Sequence, residues 1–342
     1  MKKKMCALVL AMAMVLTSLT GCGYKPVDGT QVVMTVNGTE VTAAVANFYA
    51  RYTQAMYETY YGAYLGEDMW TTDAEEGVTY EQFVKDSVLE SLKTMVLSEQ
   101  HMEELGVELK GSDTAFIEKS VKAFEEANEK GAREDVSGDT ETVKTVMTLL
   151  AMQSKVQQAV GAGADTNVAD EDAAQKKMNM VYFAYTEVDD EGAEVAVSEE
   201  EKADFLAKAE DISKRAKAGE DFESLADEHE TMMQEATFDA ETTSYDAELI
   251  KAADALAEGE VTEVIETEAG CYVAQLVSEL DRDATDAKKN EIIAERKNEL
   301  YYETVQKWID EADIEVNEDV WSQITFTDLT VKMVVPETEE EK

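Results

Sequence analysis

Hydrophobic positions in residues 31–165 recur mainly at helical spacing. Two short apolar runs come first, around Asn37-Gly38, a dipeptide typical of tight hairpin turns. Thr42 can cap the helix that follows, and Thr79-Tyr-Glu-Gln82 forms a capping box. Four helices are predicted, over about residues 42–64, 79–105, 113–130 and 140–160, with a Gly/Asp-rich break at 131–138. The first carries aromatic side chains that either pack in the core or form a contact surface for other proteins.

The pattern changes beyond a small, polar linker at residues 161–170. A strand is predicted over residues 178–185 and a hairpin over residues 261–277, with its turn at 266–270. Helices are predicted between them, over about 198–218, just after Asp221 and over 249–256. Strands at the two ends of one segment can pair only if the helices fold back over them. Residues 176–280 are therefore predicted to form a small α+β domain.

A last amphipathic helix is predicted over about residues 286–312, with strand candidates at 314–316 and 321–329. This helix has almost nothing downstream to pack against, so its apolar face must be buried against the N-terminal helices. The predicted fold class is α+β multidomain. A mostly helical module combines residues 31–165 with residues 284–330, and the α+β domain is inserted between them.

The N-terminus predicts the location. Lys2, Lys3 and Lys4 precede an apolar run that ends in Leu19-Thr-Gly-Cys22, which resembles a bacterial lipobox. Residues 1–21 would be a lipoprotein signal peptide and Cys22 the lipidated residue; the alternative is an ordinary signal with an incidental cysteine. Residues 22–30 would be a tether. The predicted location is extracytoplasmic, on the outer face of the bacterial cytoplasmic membrane.

Composition excludes several functions. The chain has 30 basic and 75 acidic residues, a net charge of −45, and nucleic acid is excluded as a partner because phosphate binding depends on Lys and Arg. No carboxylate spacing resembles a Ca²⁺ loop, and no metal or cofactor is expected. The charge keeps the protein soluble, or it repels collapsing clients or recruits divalent cations. The oligomeric state stays open between a monomer and a homodimer.

Two further segments are predicted from composition. Residues 331–342 contain Pro336 and end in a run of glutamates, which predicts an acidic disordered tail. Cys271 is the only cysteine outside the first 22 residues, so the mature chain cannot close an internal disulfide. Because Cys271 lies in an apolar strand, it is predicted to be a buried, inert thiol.

Three motifs in residues 176–280 resemble a parvulin-type peptidyl-prolyl isomerase domain. They are Ala216-Lys-Ala-Gly-Glu-Asp-Phe222-Glu-Ser-Leu-Ala226, Ala252-Ala-Asp-Ala-Leu-Ala-Glu-Gly-Glu-Val261-Thr and Glu268-Ala-Gly-Cys-Tyr-Val273. The flanks are similar to the chaperone module of PrsA- and SurA-type foldases. They are Val33-Met-Thr-Val-Asn-Gly-Thr-Glu-Val-Thr42 and Trp308-Ile-Asp-Glu-Ala-Asp-Ile314.

The resemblance implies paired histidines on the first and last strands, a Gly-rich loop, and an apolar residue on the short helix. In this sequence the strand positions fall near Phe183 and Tyr272, and the helix position is Leu249 or Ile250. The two histidines, His101 and His229, match neither strand position, so the active site is expected to be degenerate. A peptide slot lined by Phe183, Tyr185, Leu249 and Tyr272 is the candidate site, with ordinary core packing as the alternative.

The leading hypothesis is a membrane-anchored extracytoplasmic foldase or chaperone that assists newly secreted, unfolded proteins. The first alternative is an active prolyl isomerase. The second is a solute-binding lipoprotein, which would need two α/β lobes, whereas residues 31–165 offer hardly a strand after Val41.

Overall fold

The structure is a computed structural model that describes residues 26–188 and 192–334, together with the backbone of residues 13–15. For residues 332–334 only the backbone is described. The predicted lipidation site Cys22, most of the signal peptide and residues 335–342 of the predicted tail lie outside the described residues.

The chain divides into two units. Unit 1 combines the described residues of Met1–Ala164 and Lys297–Lys342, and unit 2 is Asp165–Arg296. Unit 1 is mainly helical and is built from both ends of the chain, whereas unit 2 contains a four-stranded sheet with helices. The predicted fold class, a helical module with an inserted α+β domain, is confirmed.

The elements up to residue 164 belong to unit 1. The strands are β1 (Ala13–Val15), β2 (Val32–Val36), β3 (Thr39–Thr42), β4 (Asp73–Glu75) and β5 (Val78–Thr79). The helices are α1 (Ala43–Tyr60), α2 (Gly62–Leu65), α3 (Tyr80–His101), α4 (Gly111–Ala127), α5 (Lys130–Asp135) and α6 (Thr140–Gly161). A single 3-10 turn, Met69–Thr71, lies between α2 and β4.

The next elements belong to unit 2, except that the last helix continues into unit 1. The strands are β6 (Lys176–Ala184), β7 (Thr186–Val188), β8 (Glu194–Ala196), β9 (Gln234–Phe238), β10 (Ile265–Glu266) and β11 (Gly270–Ser278). The helices are α7 (Asp170–Ala173), α8 (Glu199–Lys217), α9 (Phe222–Glu228), α10 (Ala247–Asp254) and α11 (Arg282–Glu311). Unit 1 then ends with β12 (Ile314–Val316), α12 (Glu318–Trp321) and β13 (Lys332–Val334), and β13 pairs with β1.

Local side-chain chemistry sets the helix starts. The Thr42 hydroxyl accepts from the N–H of Val45 and the Thr79 hydroxyl accepts from that of Gln82, which satisfies N–H groups that have no partner within a helix. Ser198 and Glu201 form a reciprocal capping box at the start of α8. These three predicted helix starts are confirmed.

A three-stranded sheet in unit 1 joins the two ends of the chain. Its order is β12-β2-β3, with β12 antiparallel to β2 and Ile314 opposite Val36. The β2–β3 turn is Asn37-Gly38, and both residues have positive φ, 50° and 81°, as a two-residue hairpin turn requires. Asn37 also exchanges two hydrogen bonds with the Asp313 backbone, at 2.7 and 2.8 Å. The C-terminal segment is therefore a structural part of the N-terminal module.

The core of unit 1 also combines both ends. Trp308 on α11 is buried and stacks on His101 of α3, with ring centroids 4.1 Å apart and planes 5° from parallel. Phe326 is 1% exposed and packs edge-on against Trp70, with ring centroids 4.7 Å apart. The apolar face of α11 thus finds its partner among the N-terminal helices.

A buried polar cluster on α1 holds the chain after α12. The Gln54 amide donates to the carbonyls of Phe326 and Leu329 and to the Glu58 carboxylate. That carboxylate also accepts from the Trp70 indole N–H at 2.9 Å and the Val331 N–H at 3.1 Å. Burial raises the pKa of Glu58. This cluster satisfies polar groups of a segment that has no sheet partner of its own.

Two local predictions are wrong, and one strand was missed. No strand forms over residues 321–329, where buried apolar side chains lie on a helical turn and an irregular segment instead. Strand β9 was not predicted, although it pairs with β6 along its whole length. The predicted break at 131–138 contains most of helix α5.

Candidate functional site

The candidate site lies on the four-stranded sheet of unit 2, whose order is β10-β11-β6-β9. Long strands β6 and β11 form its centre and pair antiparallel, with Tyr272 opposite Tyr182 and Cys271 opposite Phe183. Successive side chains of a strand point to opposite faces of the sheet. Each of these two pairs therefore lies on a different face.

One face is covered by α8 and α9. Phe183, Tyr185 and Cys271 pack there with Ile212 and Phe222. Phe183 and Tyr185 are 7% and 5% exposed, and Cys271 is 0% exposed. Burial raises the pKa of both Tyr185 and Cys271. This face is a closed core, and the Cys271 thiol is buried in it.

The opposite face is covered by α10. Leu249 and Ile250 from that helix pack with Met178 and Met180 of β6, and Tyr272 packs at the edge of the same cluster. Leu249 is 0% exposed, whereas Tyr272 and its neighbour Tyr182 are partly exposed. The accessible part of this face is therefore aromatic.

Tyr182 and Tyr272 form a stacked pair, with ring centroids 4.4 Å apart and planes 20° from parallel. The Tyr182 hydroxyl donates to the Ala269 carbonyl at 2.8 Å. Burial, with Tyr182 as a second cause, raises the pKa of Tyr272 to about 12. The Tyr272 ring thus presents a neutral phenol group at physiological pH.

The four residues predicted to line one slot do not come together. Phe183 and Tyr185 lie with α8, and Leu249 and Tyr272 lie with α10. Moving one residue along a strand moves the side chain to the other face, and the first-strand residue opposite Tyr272 is Tyr182 rather than Phe183. The register between β6 and β11, which the sequence does not specify, is what identifies Tyr182.

Neither histidine belongs to the sheet. His101 lies on α3 in unit 1, where its Nδ1 is 2.6 Å from Glu104. His229 follows α9, and its Nε2 is 2.9 Å from Asp211 on α8. Within the described residues, no group of His, Cys, Asp and Glu side chains could hold a metal ion.

Comparison with known families identifies this domain. Residues 185–278 match the rotamase family, the PPIC-type PPIASE domain. The match covers α8, α9, β9, α10 and β11, and begins just after the central strand β6. The resemblance to a parvulin-type domain is thereby confirmed.

Solved structures of foldases are similar to this chain at low identity. The foldase protein PrsA of Streptococcus pneumoniae is 20% identical, over 75% of this chain and 98% of that chain, with a TM-score of 0.34. PrsA of Lactococcus lactis is 14% identical, over 86% and 99%, with a TM-score of 0.35. A SurA-like chaperone of Campylobacter jejuni is 12% identical, over 84% and 98%, with a TM-score of 0.31.

Two further comparisons gave negative findings. A comparison with curated protein sequences found no match. Among the helices of the described residues, none has the length and the apolar content needed to cross a membrane.

Proposed function

We propose that the protein is a lipid-anchored extracytoplasmic foldase that holds unfolded secreted proteins, and that its inserted domain has little prolyl isomerase activity. The observation that carries this proposal is the PPIC-type domain inserted into a helical unit built from both chain ends. The lipobox-like Leu19-Thr-Gly-Cys22 supports the location.

Weak catalysis is expected from the residues that line the α10 face of the sheet. Turning an X-Pro bond means crossing a barrier of about 18–20 kcal/mol that comes from amide resonance. An isomerase lowers it with polar groups that favour the twisted amide over the planar one. On this face the stacked pair Tyr182 and Tyr272 occupies the facing strand positions, and Leu249 is fully packed. An aromatic pair of this kind suits contact with a peptide better than turnover of it.

The holding function is tested with two unfolded secreted proteins of opposite charge, reduced lysozyme and reduced α-lactalbumin. Full-length chain at equimolar concentration is expected to delay the rise in light scattering of at least one of them. The control is an equal mass of an unrelated acidic protein, because charge alone can slow aggregation. Scattering curves that match those of the control for both clients would remove the proposal.

A second candidate function is true prolyl isomerase activity, which the family match favours. A protease-coupled assay on an Ala-Pro and a Glu-Pro peptide decides between the two. We expect a rate close to the uncatalysed one. If catalysis is found, the variant Tyr272→Phe tests whether the α10 face performs it, because that change removes one hydroxyl and keeps the ring.

The anchor is tested by Cys22→Ser in the secreting bacterium. We expect the wild-type chain in the membrane fraction and the variant in the soluble extracytoplasmic fraction. Cys6→Ser is the matched control, because Cys6 lies inside the apolar run of the signal. Equal membrane association of wild type and Cys22→Ser would contradict lipidation at Cys22.

A further inference from the structure

Three exposed tyrosines lie close together in sequence at the end of α1 and in α2. Tyr60 and Tyr61 at the end of α1 are 58% and 52% exposed, and Tyr64 in α2 is 91% exposed. The same helix begins with buried aromatics, since Phe48 is 0% and Tyr52 is 9% exposed. The aromatic side chains of α1 are therefore buried near its start and exposed to solvent at its end.

Helical spacing groups these tyrosines. Tyr57, Tyr61 and Tyr64 follow each other at helical spacing, which places them on one side of the α1–α2 segment. The rings of Tyr57 and Tyr61 are 5.5 Å apart, and Tyr57 is 6.2 Å from the buried Trp70. Core contacts thus hold one end of this tyrosine surface, which we define as Tyr57, Tyr60, Tyr61 and Tyr64. Exposed aromatic side chains grouped in this way are typical of an interaction site.

The sequence on both sides of the tyrosine surface has acidic residues and no exposed cation. Residues 52–84 contain no Lys, Arg or His. The two flanking cations are buried, with Arg51 at 0% and Lys85 at 7% exposure. Five exposed carboxylates follow α2 in the sequence, and none forms an ion pair within the described part of the chain: Glu67, Asp68, Asp73, Glu75 and Glu76.

We infer that the tyrosine surface binds unfolded segments of secreted proteins that carry Lys or Arg beside aromatic or large apolar side chains. Tyrosine faces attract cations, and they bury apolar side chains at low entropic cost because Tyr has only two side-chain torsions. The acidic residues 67–76 attract the same cations over a longer distance. This inference rests on the proposed holding function and names the class of segment that is held.

Charge favours a cationic polypeptide over two other possible partners of the tyrosine surface. An anionic membrane surface would be repelled by the five carboxylates, although tyrosines often lie at lipid headgroups. A second copy of the chain would bring a net charge of −45 to a surface that is itself acidic. A cationic, aromatic polypeptide is the partner that satisfies both parts of the surface.

The test uses the full-length chain and three fluorescein-labelled unfolded peptides of equal length. One peptide contains Lys and Phe, one Glu and Phe, and one Lys and Ser, each spaced by Gly and Ser. Fluorescence polarisation is expected to give a Kd for the Lys/Phe peptide at least about tenfold below the other two, because only this peptide uses both aromatic and charged contacts. Its Kd should rise between 0.1 M and 1 M NaCl, as the screening length falls from about 10 to about 3 Å.

Variants assign the binding to the surface. Tyr60→Ser, Tyr61→Ser and Tyr64→Ser together are expected to raise the Kd at least about tenfold, because aromatic residues dominate contact energies. Tyr302→Ser is the matched control, since Tyr302 is 75% exposed on α11 and should leave the Kd unchanged. These side chains are exposed, so the thermal midpoint should stay the same in all variants.

A second set of variants tests the carboxylates against a control with the same change in total charge. Glu67→Gln, Asp68→Asn, Asp73→Asn, Glu75→Gln and Glu76→Gln together should weaken binding and flatten its salt dependence. The control neutralises five exposed acids of unit 2: Glu200, Glu210, Glu223, Asp227 and Asp286. Equal effects of the two sets would mean that overall charge, rather than this surface, attracts the peptide, and would overturn the inference.

Further outcomes keep this inference separate from the proposed function. If the wild type and the triple Tyr variant delay client aggregation equally, the holding function stands and the inference falls. If the wild type delays no client but loses Lys/Phe peptide binding on the triple change, the surface stands and the holding function falls. Tyrosine-dependent binding to phosphatidylglycerol vesicles without peptide binding would overturn the inference in favour of a lipid surface.

Discussion

Phe326 offers a direct test of the claim that the C-terminal segment completes the N-terminal module. Its ring is 1% exposed, contacts Trp70 edge-on at 4.7 Å, and lies 6.0 Å from the Arg51 guanidinium. Replacing a buried Phe by Ala costs about 3–5 kcal/mol, from lost burial and the cavity that remains. The edge-to-face pair with Trp70 accounts for about 0.5–1.5 kcal/mol of that range. We expect Phe326→Ala to destabilise unit 1 by about 4 kcal/mol.

Urea unfolding followed by tryptophan fluorescence measures this change in unit 1 alone. All three tryptophans, Trp70, Trp308 and Trp321, lie in unit 1 and are buried. With a slope of about 2 kcal/mol/M, the midpoint should fall by about 2 M. Tyr302→Ala, an exposed aromatic on α11, should change stability by less than about 0.5 kcal/mol. A midpoint shift for Phe326→Ala as small as that of Tyr302→Ala would refute the packing of this segment.

Three other predictions concern unit 2 and pH. A Cβ at Gly270 would clash with the Phe183 carbonyl oxygen, so Gly270→Ala should lower the stability of unit 2 by about 2 kcal/mol in a circular dichroism melt; Gly111→Ala, with open space at that position, should not. Cys271 should react with a thiol reagent at pH 8 only after denaturation, because burial raises its pKa and shields it; fast reaction of the native chain would contradict this. Burial raises the pKa of Tyr272 to about 12, above the ordinary value of about 10. The native state therefore favours its neutral form, and the stability from this group is complete below pH 10 and is lost as pH rises from 10 to 12; phenolate absorbance at 295 nm during alkaline unfolding measures it.

Local signals in the sequence predicted the helix starts well. Thr42, Thr79 and Ser198 each cap the helix that was predicted to follow them. This success has a physical cause, since a cap uses atoms only two or three residues apart. The Asn37-Gly38 turn belongs to the same class, because the positive φ values favour those residues.

The long-range features were harder to predict. Strand β9 has the sequence Gln-Glu-Ala-Thr-Phe, and Ala236 and Phe238 are its two buried side chains. This segment forms a strand because it pairs with β6, and nothing in its own sequence indicates that pairing. The segment after α12 gives the opposite case. Ile324 and Phe326 are buried as a strand would predict, but the Phe326 backbone bonds to Gln54 on α1 and Glu81 on α3 instead of to a sheet.

The candidate site was also hard to predict, because a difference of one residue along a strand changes the face of the sheet. The resemblance to the parvulin family put the first-strand position near Phe183, but Phe183 and Tyr182 are adjacent and point to opposite faces. The facing of Tyr182 and Tyr272 depends on the register of two strands almost a hundred residues apart in sequence. The pattern of polar and apolar residues along β6 does not show whether Tyr182 or Phe183 faces α10, because Val181, Tyr182 and Phe183 are all apolar or aromatic.

The central claim is that this chain holds unfolded secreted proteins. The most direct measurement is the light scattering of reduced lysozyme and reduced α-lactalbumin with the full-length chain at equimolar concentration. The account predicts a delayed and smaller rise, with the larger effect on the cationic lysozyme. Scattering of both clients that is identical with this chain and with an unrelated acidic protein would contradict the account.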